Sequence, residues 1–489
     1  MVEFAFQSAV NQVKAIKEKV ISSSELLELY IERYERLNPQ LNAIVDTNFE
    51  NARNRAKQAD EALFKNQHWG PLHGLPITIK DCIEVAGMHT TWGSPIFKDY
   101  VSAKNADVVQ PLLDAGAIVY GKTNAPLFAM DSQSFNEVYG QTNNPWDLAR
   151  TPGGSSGGAV AALATGLAGL EIGSDFGGSI RSPAHFCGVY GHKPSYGIVP
   201  MHGQSPPLEI FTIDYAVDID HAVTGPLARS AEDLDLVMDL IVRPARPERK
   251  AIKIELPPPR RKSLKDYKIG LWLDDPHFPP DRHVGDCLQK MVDRLSKVGA
   301  HIVEKKPEFD FSHSLNIFYR LHNLALVFLK PQAEFDRMLQ ASKTLDENDQ
   351  SLEAIVARNS TSLFREWQSW NIERSILRQK WDDYFREFDV LLCPAVRVAA
   401  FLHDHTDFRQ RTTKFNNLDQ PHIDIIMPWA GLATVSYLPA TVAPIGITSG
   451  GLPVGVQIVG PYLEDRTPIH VARLLEETLG GFTPPPGYA

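Results

Sequence analysis

A glycine-rich stretch at residues 153–194 constrains this chain more than any other part of its sequence. It holds Ser155 in the run Gly-Gly-Ser-Ser-Gly-Gly and, further along, Ser179 in the run Gly-Gly-Ser. An apolar segment, residues 159–170, separates the two serines. Because glycine has no Cβ, such turns let backbone N–H groups and small hydroxyls approach a ligand closely. The pattern therefore indicates a nucleophile or anion-binding turn followed by a helix.

A third candidate lies upstream, where the β-branched run of residues 74–81 (GLPITIKD) leads to Lys80. The run predicts a buried strand, and a lysine at the end of a buried strand is costly unless it has a role. Lys80 is therefore a candidate for the same site as the two serines.

These motifs, in this order, resemble the amidase signature family. The family pattern is GGSSGG, then GSDTGGSIR-x-PAAFCG-V-GLKPT-G, with an upstream lysine in a G-x-P-x-x-x-KD setting. Shorter family-like pieces occur at residues 121–124, 140–146, 225–230 and 451–460. The resemblance covers about residues 5–240 and 425–480 and gives no indication for the segment between them.

The resemblance implies amide hydrolysis by a Ser-Ser-Lys triad. Ser179 would attack the carbonyl carbon, and Ser155, after a cis peptide bond, would pass the proton between Ser179 and Lys80. Lys80 must then be neutral, and burial can lower the pKa of a lysine by about 3–5 units. The backbone N–H groups expected to form the oxyanion hole belong to Phe176, Gly177, Gly178 and Ser179.

The same resemblance implies an acyl-enzyme that needs neither a metal ion nor an organic cofactor. The expected substrate is a small carboxamide, ester or carbamate. The residues expected to bind it are Ala129, Met130, Asp131, Gly154 and Phe176. The chain departs from the family pattern at Phe176, His185 and His192, where threonine, alanine and leucine are usual. We expect Phe176 to border the acyl pocket or pack in the core, and both histidines to be structural.

Three other interpretations of the motifs remain open. Ser156 fits the G-x-S-x-G elbow of α/β-hydrolases, with His422 or His470 as the partner base. The chain could be the glutaminase subunit of an amidotransferase, although residues 244–422 show no recognisable glutamine-binding or partner-docking pattern. It could also be a non-catalytic binding protein, in which the Ser179 hydroxyl would be unreactive.

Two further motifs predict less than they suggest. Residues 116–123 match the phosphate-loop pattern GxxxxGK[ST], but their middle residues have the composition of a strand, whereas a phosphate loop follows its strand. Residues 403–407 (HDHTD) look like a metal motif, yet no Cys/His cluster supports them, and a solvated loop is expected. Neither ATP nor a metal ion is therefore predicted.

Composition favours a cytoplasmic enzyme. The formal net charge of −10 argues against a nucleic-acid partner, and no apolar run is long enough for a membrane span. No N-terminal signal pattern is present, and a homodimer is left open. Reduced structural thiols are expected for the four cysteines, Cys82, Cys187, Cys287 and Cys393.

The alternation of short apolar strands and helices predicts a single α/β domain, with three α/β/α layers and a mixed, mostly parallel central sheet. Within it we expect a helical layer at residues 1–65, a signature core at 66–242, a variable helical cover at 243–424 and a return to the core at 425–489. Among the predicted helices are residues 6–17, 312–340 and 360–388. A further helix should begin after Ser22, where Glu25 completes a cap.

Overall fold

The computed structural model describes residues 2–207, 218–346, 348–349 and 351–489, which build one large β-sheet surrounded by helices. The strands are β1 (Ile44–Thr47), β2 (Pro76–Lys80), β3 (Ile118–Thr123), β4 (Phe135–Asn136), β5 (Gly140–Gln141), β6 (Glu171–Asp175), β7 (Tyr190–Lys193), β8 (Val223–Ala228), β9 (Lys268–Leu271), β10 (His301–Glu304), β11 (Val390–Pro394), β12 (Thr412–Phe415), β13 (Leu418–Pro421), β14 (Ala440–Ile447) and β15 (Pro453–Val459). The helices are α1 (Val2–Phe6), α2 (Ala9–Lys17), α3 (Ser23–Leu41), α4 (Phe49–Phe64), α5 (Gln110–Asp114), α6 (Gly157–Ala164), α7 (Arg181–Cys187), α8 (Ala231–Ile241), α9 (Arg282–Lys297), α10 (Phe311–Ala325), α11 (Gln332–Thr344), α12 (Leu352–Ser360), α13 (Phe364–Glu387), α14 (His422–Ile426), α15 (Pro428–Thr434) and α16 (Arg466–Leu479).

The main sheet has eleven strands in the order β1-β3-β2-β6-β8-β7-β14-β15-β11-β9-β10. Strand β2 runs parallel to β3 and β6, and β9 runs parallel to β11 and β10. The pairings between these two groups, from β6 to β11, are antiparallel, as is the pairing of β1 with β3. The predicted α/β class with a mixed sheet is thus confirmed, and its parallel pairings are concentrated in two groups.

Helices cover the sheet in two layers. Helices α6 and α7 pack on each other and against the sheet, while α8, α9 and α16 form the second group. Every residue of α6 is buried, because this helix is apolar on all sides and lies between the sheet and its neighbours. The predicted three-layer arrangement is therefore present.

The N-terminal helices differ in one place from the prediction. The expected helix at residues 6–17 is broken into α1 and α2, because the Ser8 hydroxyl accepts a hydrogen bond from the Asn11 N–H and starts a new helix. Helix α3 begins after Ser22 as predicted, with a reciprocal capping box between Ser22 and Glu25.

The segment 243–424 contributes α9 to α13 and also extends the sheet with β9, β10 and β11. The predicted helix at 312–340 is wrong as a single element, because Pro331 lacks an N–H and separates α10 from α11. The predicted helix at 360–388 begins later, at Phe364, where the Glu366 carboxylate accepts a hydrogen bond from the Leu363 N–H. In the described part of the chain, no helix has the length and apolar character to cross a bilayer.

Candidate active site

Lys80 ends β2, a strand whose five residues are all buried. Its ammonium nitrogen donates hydrogen bonds to the Ser155 hydroxyl at 2.6 Å and to the Ser174 hydroxyl at 3.0 Å. Ser174 comes from β6, the parallel neighbour of β2. The structure thus brings Lys80 and Ser155 into direct contact, as the sequence predicted.

The environment of Lys80 favours its neutral form. Complete burial lowers the pKa of Lys80, and the nearby Cys82, Asp175 and other acidic groups oppose this effect only in part. One of those acids, Glu171, has its own pKa raised to about 8, mainly by burial, so it carries little charge at neutral pH. A buried lysine without a fully charged counterion is suited to accept a proton.

Ser155 lies in a turn that the surrounding backbone holds tightly. The Gly154–Ser155 peptide bond is cis, as the resemblance implied. The Ser134 hydroxyl donates to the Gly153 carbonyl at 3.2 Å and accepts from the Gly157 N–H at 2.9 Å. A Cβ on Gly154 would lie only 2.5 Å from the Asp131 carbonyl oxygen, so only glycine fits there.

Asp175 and Arg181 brace the loop that carries Ser179, as predicted. The Asp175 carboxylate receives two contacts from the Arg181 guanidinium, at 2.8 and 3.0 Å, and also accepts the N–H groups of Gly178 and Ile180. Burial alone would raise the pKa of Asp175, but the charge and hydrogen bonds of Arg181 bring it down to about 2. The carboxylate is therefore ionised and fixes the loop.

Ser179 itself is only partly buried and faces a cavity. Among the four predicted oxyanion donors, the Gly178 N–H is already engaged by Asp175. In the described chain, the N–H groups of Phe176, Gly177 and Ser179 have no hydrogen-bond acceptor. These three groups are consequently available to an anion beside Ser179.

The cavity has a volume of about 710 Å³. Its wall includes every predicted substrate-binding residue and part of the predicted oxyanion loop, namely Ala129, Met130, Asp131, Gly154, Phe176, Gly177 and Ser179. Lys80, Ser155 and Gly178 are buried and do not border it. The opposite wall comes from the cover, with Tyr319, His322, Leu326, Lys330, Glu334, Ile355, Val356, Arg409, Asp424 and Met427.

Several of these residues escaped the sequence analysis. Ser174 stands inside the motif Gly-Ser-Asp directly before the Ser179 loop, so its position was a usable signal. Tyr319 and His322 lie one helical turn apart on α10, a spacing that places both on one face, but nothing in the sequence indicates which face borders the cavity.

The α/β-hydrolase interpretation fails, because Ser156 has no histidine partner. Its hydroxyl is buried and donates to the Ser174 carbonyl at 3.4 Å. His422 instead contacts the Ser132 hydroxyl at 2.6 Å. His470 contacts the Tyr267 hydroxyl at 2.9 Å.

The phosphate-loop pattern is part of a strand, as predicted. Gly121, Lys122 and Thr123 lie inside β3, and the Lys122 ammonium donates to the backbone carbonyls of Asp81 and His89. In the described ranges, no three His, Cys, Asp or Glu side chains converge as a metal site would require. The His405 ring instead stacks on a phenylalanine, Phe135, with a centroid distance of 4.1 Å.

The two histidines that depart from the family pattern have structural partners. His185 contacts the backbone of Gly455 and Val398, each at 3.1 Å, and burial lowers its pKa to about 4. His192 contacts Thr441 and Asp465 at 2.9 and 3.1 Å. The prediction that both are structural is confirmed, and the four cysteines are likewise buried and free.

An α/β fold of this kind, with a buried lysine joined to a serine of one glycine-rich turn and a second serine facing a cavity, defines an amidase signature enzyme. The chain belongs to the amidase family, because the family model matches residues 25–468. The match runs through the segment 241–424, for which the sequence motifs gave no indication. Amidase signature enzymes are hydrolases that act on carbon–nitrogen bonds.

Relatives in this family differ in activity. The A subunit of the glutamyl-tRNA(Gln) amidotransferase from Prochlorococcus marinus (strain NATL2A) is 32% identical over 488 residues, which cover 94% of this chain and 95% of the relative. The structure of a 6-aminohexanoate cyclic dimer hydrolase complexed with substrate superimposes with a TM-score of 0.78 at 26% identity, covering 99% of both chains. The structure of the corresponding glutamyl-tRNA(Gln) amidotransferase polypeptide from Thermotoga maritima gives 0.76 at 26% identity, covering 99% of this chain and 98% of the other.

Proposed function

We propose that this protein is an amidohydrolase that cleaves a small carboxamide through an acyl-enzyme on Ser179. The observation that carries the proposal is the 2.6 Å hydrogen bond between the buried Lys80 ammonium nitrogen and the Ser155 hydroxyl, next to the loop of Ser179. A nucleophilic serine needs a base within hydrogen-bond reach or one relay group away. Ser155 is that relay group in this proposal.

In the acylation step, the Ser179 hydroxyl oxygen attacks the carbonyl carbon of the bound amide. Its proton moves to Ser155, while the Ser155 proton moves to neutral Lys80. The lowered pKa of Lys80, caused mainly by burial, supports this role, because general bases work best when they are unprotonated at the working pH. The protonated Lys80 then returns the proton through Ser155 to the leaving nitrogen.

Water completes the cycle by attacking the acyl-enzyme with the same relay acting as base. During both steps, negative charge develops on the carbonyl oxygen. We assign its stabilisation to the free N–H groups of the oxyanion loop, residues 176–179, and one such donor is worth about 3 kcal/mol in a transition state. Esters and carbamates have the same reacting carbonyl and are candidate substrates too.

The wall of the cavity favours an uncharged substrate. Its two cations, Lys330 and Arg409, lie 2.6 and 3.9 Å from Glu334 and are balanced by it. The other wall carboxylates, Asp131, Asp407 and Asp424, add negative charge. A substrate carboxylate would find no unbalanced cation on the described wall, whereas apolar groups would meet Leu326, Ile355, Val356 and Met427.

A second candidate function is that of a glutaminase component in an amidotransferase. The observation that favours it is the identity of about 30% to the A subunits of several glutamyl-tRNA(Gln) amidotransferases over nearly the whole chain. This function shares the serine chemistry and differs in substrate, because free glutamine carries both a carboxylate and an ammonium group.

One experiment separates the two candidates. The purified chain is treated with a fluorophosphonate and the labelled peptide is mapped by mass spectrometry. Turnover is then measured on neutral anilides, carbamates and L-glutamine. We expect a label on Ser179, release of aniline and no ammonia from glutamine. Turnover of glutamine in preference to every neutral amide would favour the amidotransferase component, and absence of any Ser179 label would overturn the proposal.

A further inference from the structure

The cavity wall contains buried polar atoms that no described residue satisfies. The four that border the cavity are the Ser182 hydroxyl, the Tyr319 hydroxyl, the Nδ1 of His322 and the Ser360 hydroxyl. Leaving a buried polar atom without a partner costs about 1–3 kcal/mol, so such atoms in a native cavity call for a ligand or water.

His322 differs from the other three because it also touches the oxyanion loop. Its ring stacks on Phe176 with a centroid distance of 3.9 Å and an interplanar angle of 29°. A Cβ on Gly177 would lie 3.3 Å from the Cε1 atom of His322, so the imidazole lies against the backbone that offers the free N–H of Gly177. Among the described residues, none forms a hydrogen bond with the buried Nδ1 atom of this ring.

The environment keeps this imidazole neutral. Burial lowers the pKa of His322 well below its ordinary value, and the neighbouring His221 adds to the effect. His221 stacks between His322 and Phe318, with centroid distances of 6.2 and 5.6 Å. A neutral imidazole has one nitrogen that accepts a hydrogen bond and one that donates. His322 is therefore a rigid, uncharged hydrogen-bonding group at the loop.

An amide group presents two polar atoms to its site. In the proposed function, the carbonyl oxygen is bound by the N–H groups of the oxyanion loop. The N–H of a primary or secondary amide still needs an acceptor, and burying it without one would cost about 1–3 kcal/mol. His322 borders the cavity beside the loop and has a ring nitrogen that no described residue engages.

We propose that the imidazole of His322 accepts a hydrogen bond from the N–H of the scissile amide and makes the site selective for amides over matched esters. This inference rests on the proposed function and adds a specificity determinant to it. Phe176 acts in it as the support on which the His322 ring lies. An ester of the same acyl and leaving group has no N–H and gains nothing from this contact.

The test compares one anilide with the phenyl ester of the same acid, using His322→Phe, His322→Gln and the wild type. The phenylalanine keeps a ring against Phe176 and removes both nitrogens, and the glutamine keeps an acceptor. We expect His322→Phe to lower kcat/KM for the anilide by about 10-fold to 100-fold and for the ester by less than about 3-fold. His322→Gln should retain part of the preference. A matched control is His313→Phe, on the exposed side of α10 and 3.5 Å from Glu373, which should change neither substrate.

A structural role would give a different pattern. If His322 only packed the core, His322→Phe would lower the melting temperature and both activities together. Because the substitution removes an unsatisfied buried nitrogen, we expect the melting temperature to stay equal or rise. An equal loss for anilide and ester would overturn the inference, as would an unchanged ratio of the two.

Labelling separates failure of this inference from failure of the proposed function. A fluorophosphonate has no amide N–H, so His322→Phe should label on Ser179 at the wild-type rate. Normal labelling with an unchanged substrate ratio would reject the role of His322 alone. A wild type that neither labels on Ser179 nor turns over either substrate would reject the proposed function, and the inference with it.

Discussion

Asp131 and Arg411 form a bidentate ion pair across 280 residues of chain, with nitrogen–oxygen distances of 2.7 and 2.9 Å. The Arg411 side chain is fully buried, and that of Asp131 is 15% exposed. Next to it, the Ser132 hydroxyl contacts His422 at 2.6 Å. Two polar contacts therefore fasten the loop at residues 128–132 to the cover, and the Asp131 carboxylate is not free for a substrate.

Breaking this pair should loosen the cavity. Arg411→Ala leaves a largely buried carboxylate without its partner, which costs about 3–5 kcal/mol in comparable pairs. We expect a lower urea midpoint and a higher KM. The double variant Asp131→Ala/Arg411→Ala should lose less than the sum of the single losses, because the unpaired charge is gone. Additive losses would show that the two side chains act independently.

Ser179→Ala should abolish turnover, because no other described hydroxyl both faces the cavity and lies within the glycine-rich oxyanion loop. We expect kcat to fall by at least about 10³-fold with an unchanged melting temperature. Ser156→Ala is the control, since its buried hydroxyl makes only a 3.4 Å contact to the Ser174 carbonyl, and it should keep Ser179 labelling. A label on Ser156 in the Ser179→Ala protein would contradict the assignment.

Lys80→Met should reduce amide turnover by about 10²-fold to 10⁴-fold, because the base and the acid for the leaving nitrogen are both lost. In the wild type, kcat/KM should rise with pH along a limb below 10.5, since burial lowers the pKa of Lys80 from that value. An amide activity that survives Lys80→Met would remove Lys80 from the mechanism.

The same lysine should influence stability in a defined direction. Between its lowered pKa and 10.5, the unfolded chain binds one more proton at Lys80 than the folded protein does, so this group makes folding more favourable as pH rises. Lys80→Met removes that penalty. Urea titrations should show its stability, relative to wild type, greatest at neutral pH and declining towards pH 10. A relative stability that grows with pH would contradict the lowered pKa.

Gly154→Ala should disrupt the turn that holds Ser155. The new Cβ would meet the Asp131 carbonyl oxygen and the Gln133 nitrogen, each at 2.5 Å, and neither backbone atom can move away cheaply. We expect a destabilisation of about 1–3 kcal/mol, the range for overpacking, and loss of labelling. Gly285→Ala, within α9 and with its nearest neighbour at 3.9 Å, should instead stabilise by about 0.5–1 kcal/mol. Equal behaviour of the two variants would disprove the close approach.

Phe176→Ala should change the order of substrates by acyl size, because Phe176 borders the cavity beside Ser179. Bulkier acyl groups should gain on small ones by about 1–3 kcal/mol in transition-state terms, measured as ratios of kcat/KM. A loss that ignores acyl size and falls only on amides would mean that Phe176 acts by supporting His322.

The sequence predicted the parts of the site that lie within local motifs. Lys80 ends an apolar run, and Ser155 and Ser179 stand in glycine-rich turns, so their positions at strand ends followed from short-range patterns. The bracing by Asp175 and Arg181 followed in the same way, because all its atoms come from one loop and the helix after it.

The remaining features depend on contacts between distant segments, which short-range patterns do not encode. Arg411 reaches Asp131 and His322 reaches Phe176 only after the cover has folded over the core. Similarly, an uninterrupted amphipathic pattern suggested one helix at 312–340, and the local break at Pro331 prevailed. The order of strands in the sheet is also a long-range property.

That strand order has a consequence for how the molecule is made. Strands β14 and β15 come last along the chain, yet they lie between β7 and β11 in the sheet. Before residues 440–459 arrive, the part with Lys80, Ser155 and Ser179 and the part with β9 to β11 have no strand in common. A growing chain therefore carries all its reactive side chains long before it can complete its central sheet. Such late, long-range pairing makes folding slow, and unfinished chains on the ribosome should be catalytically silent.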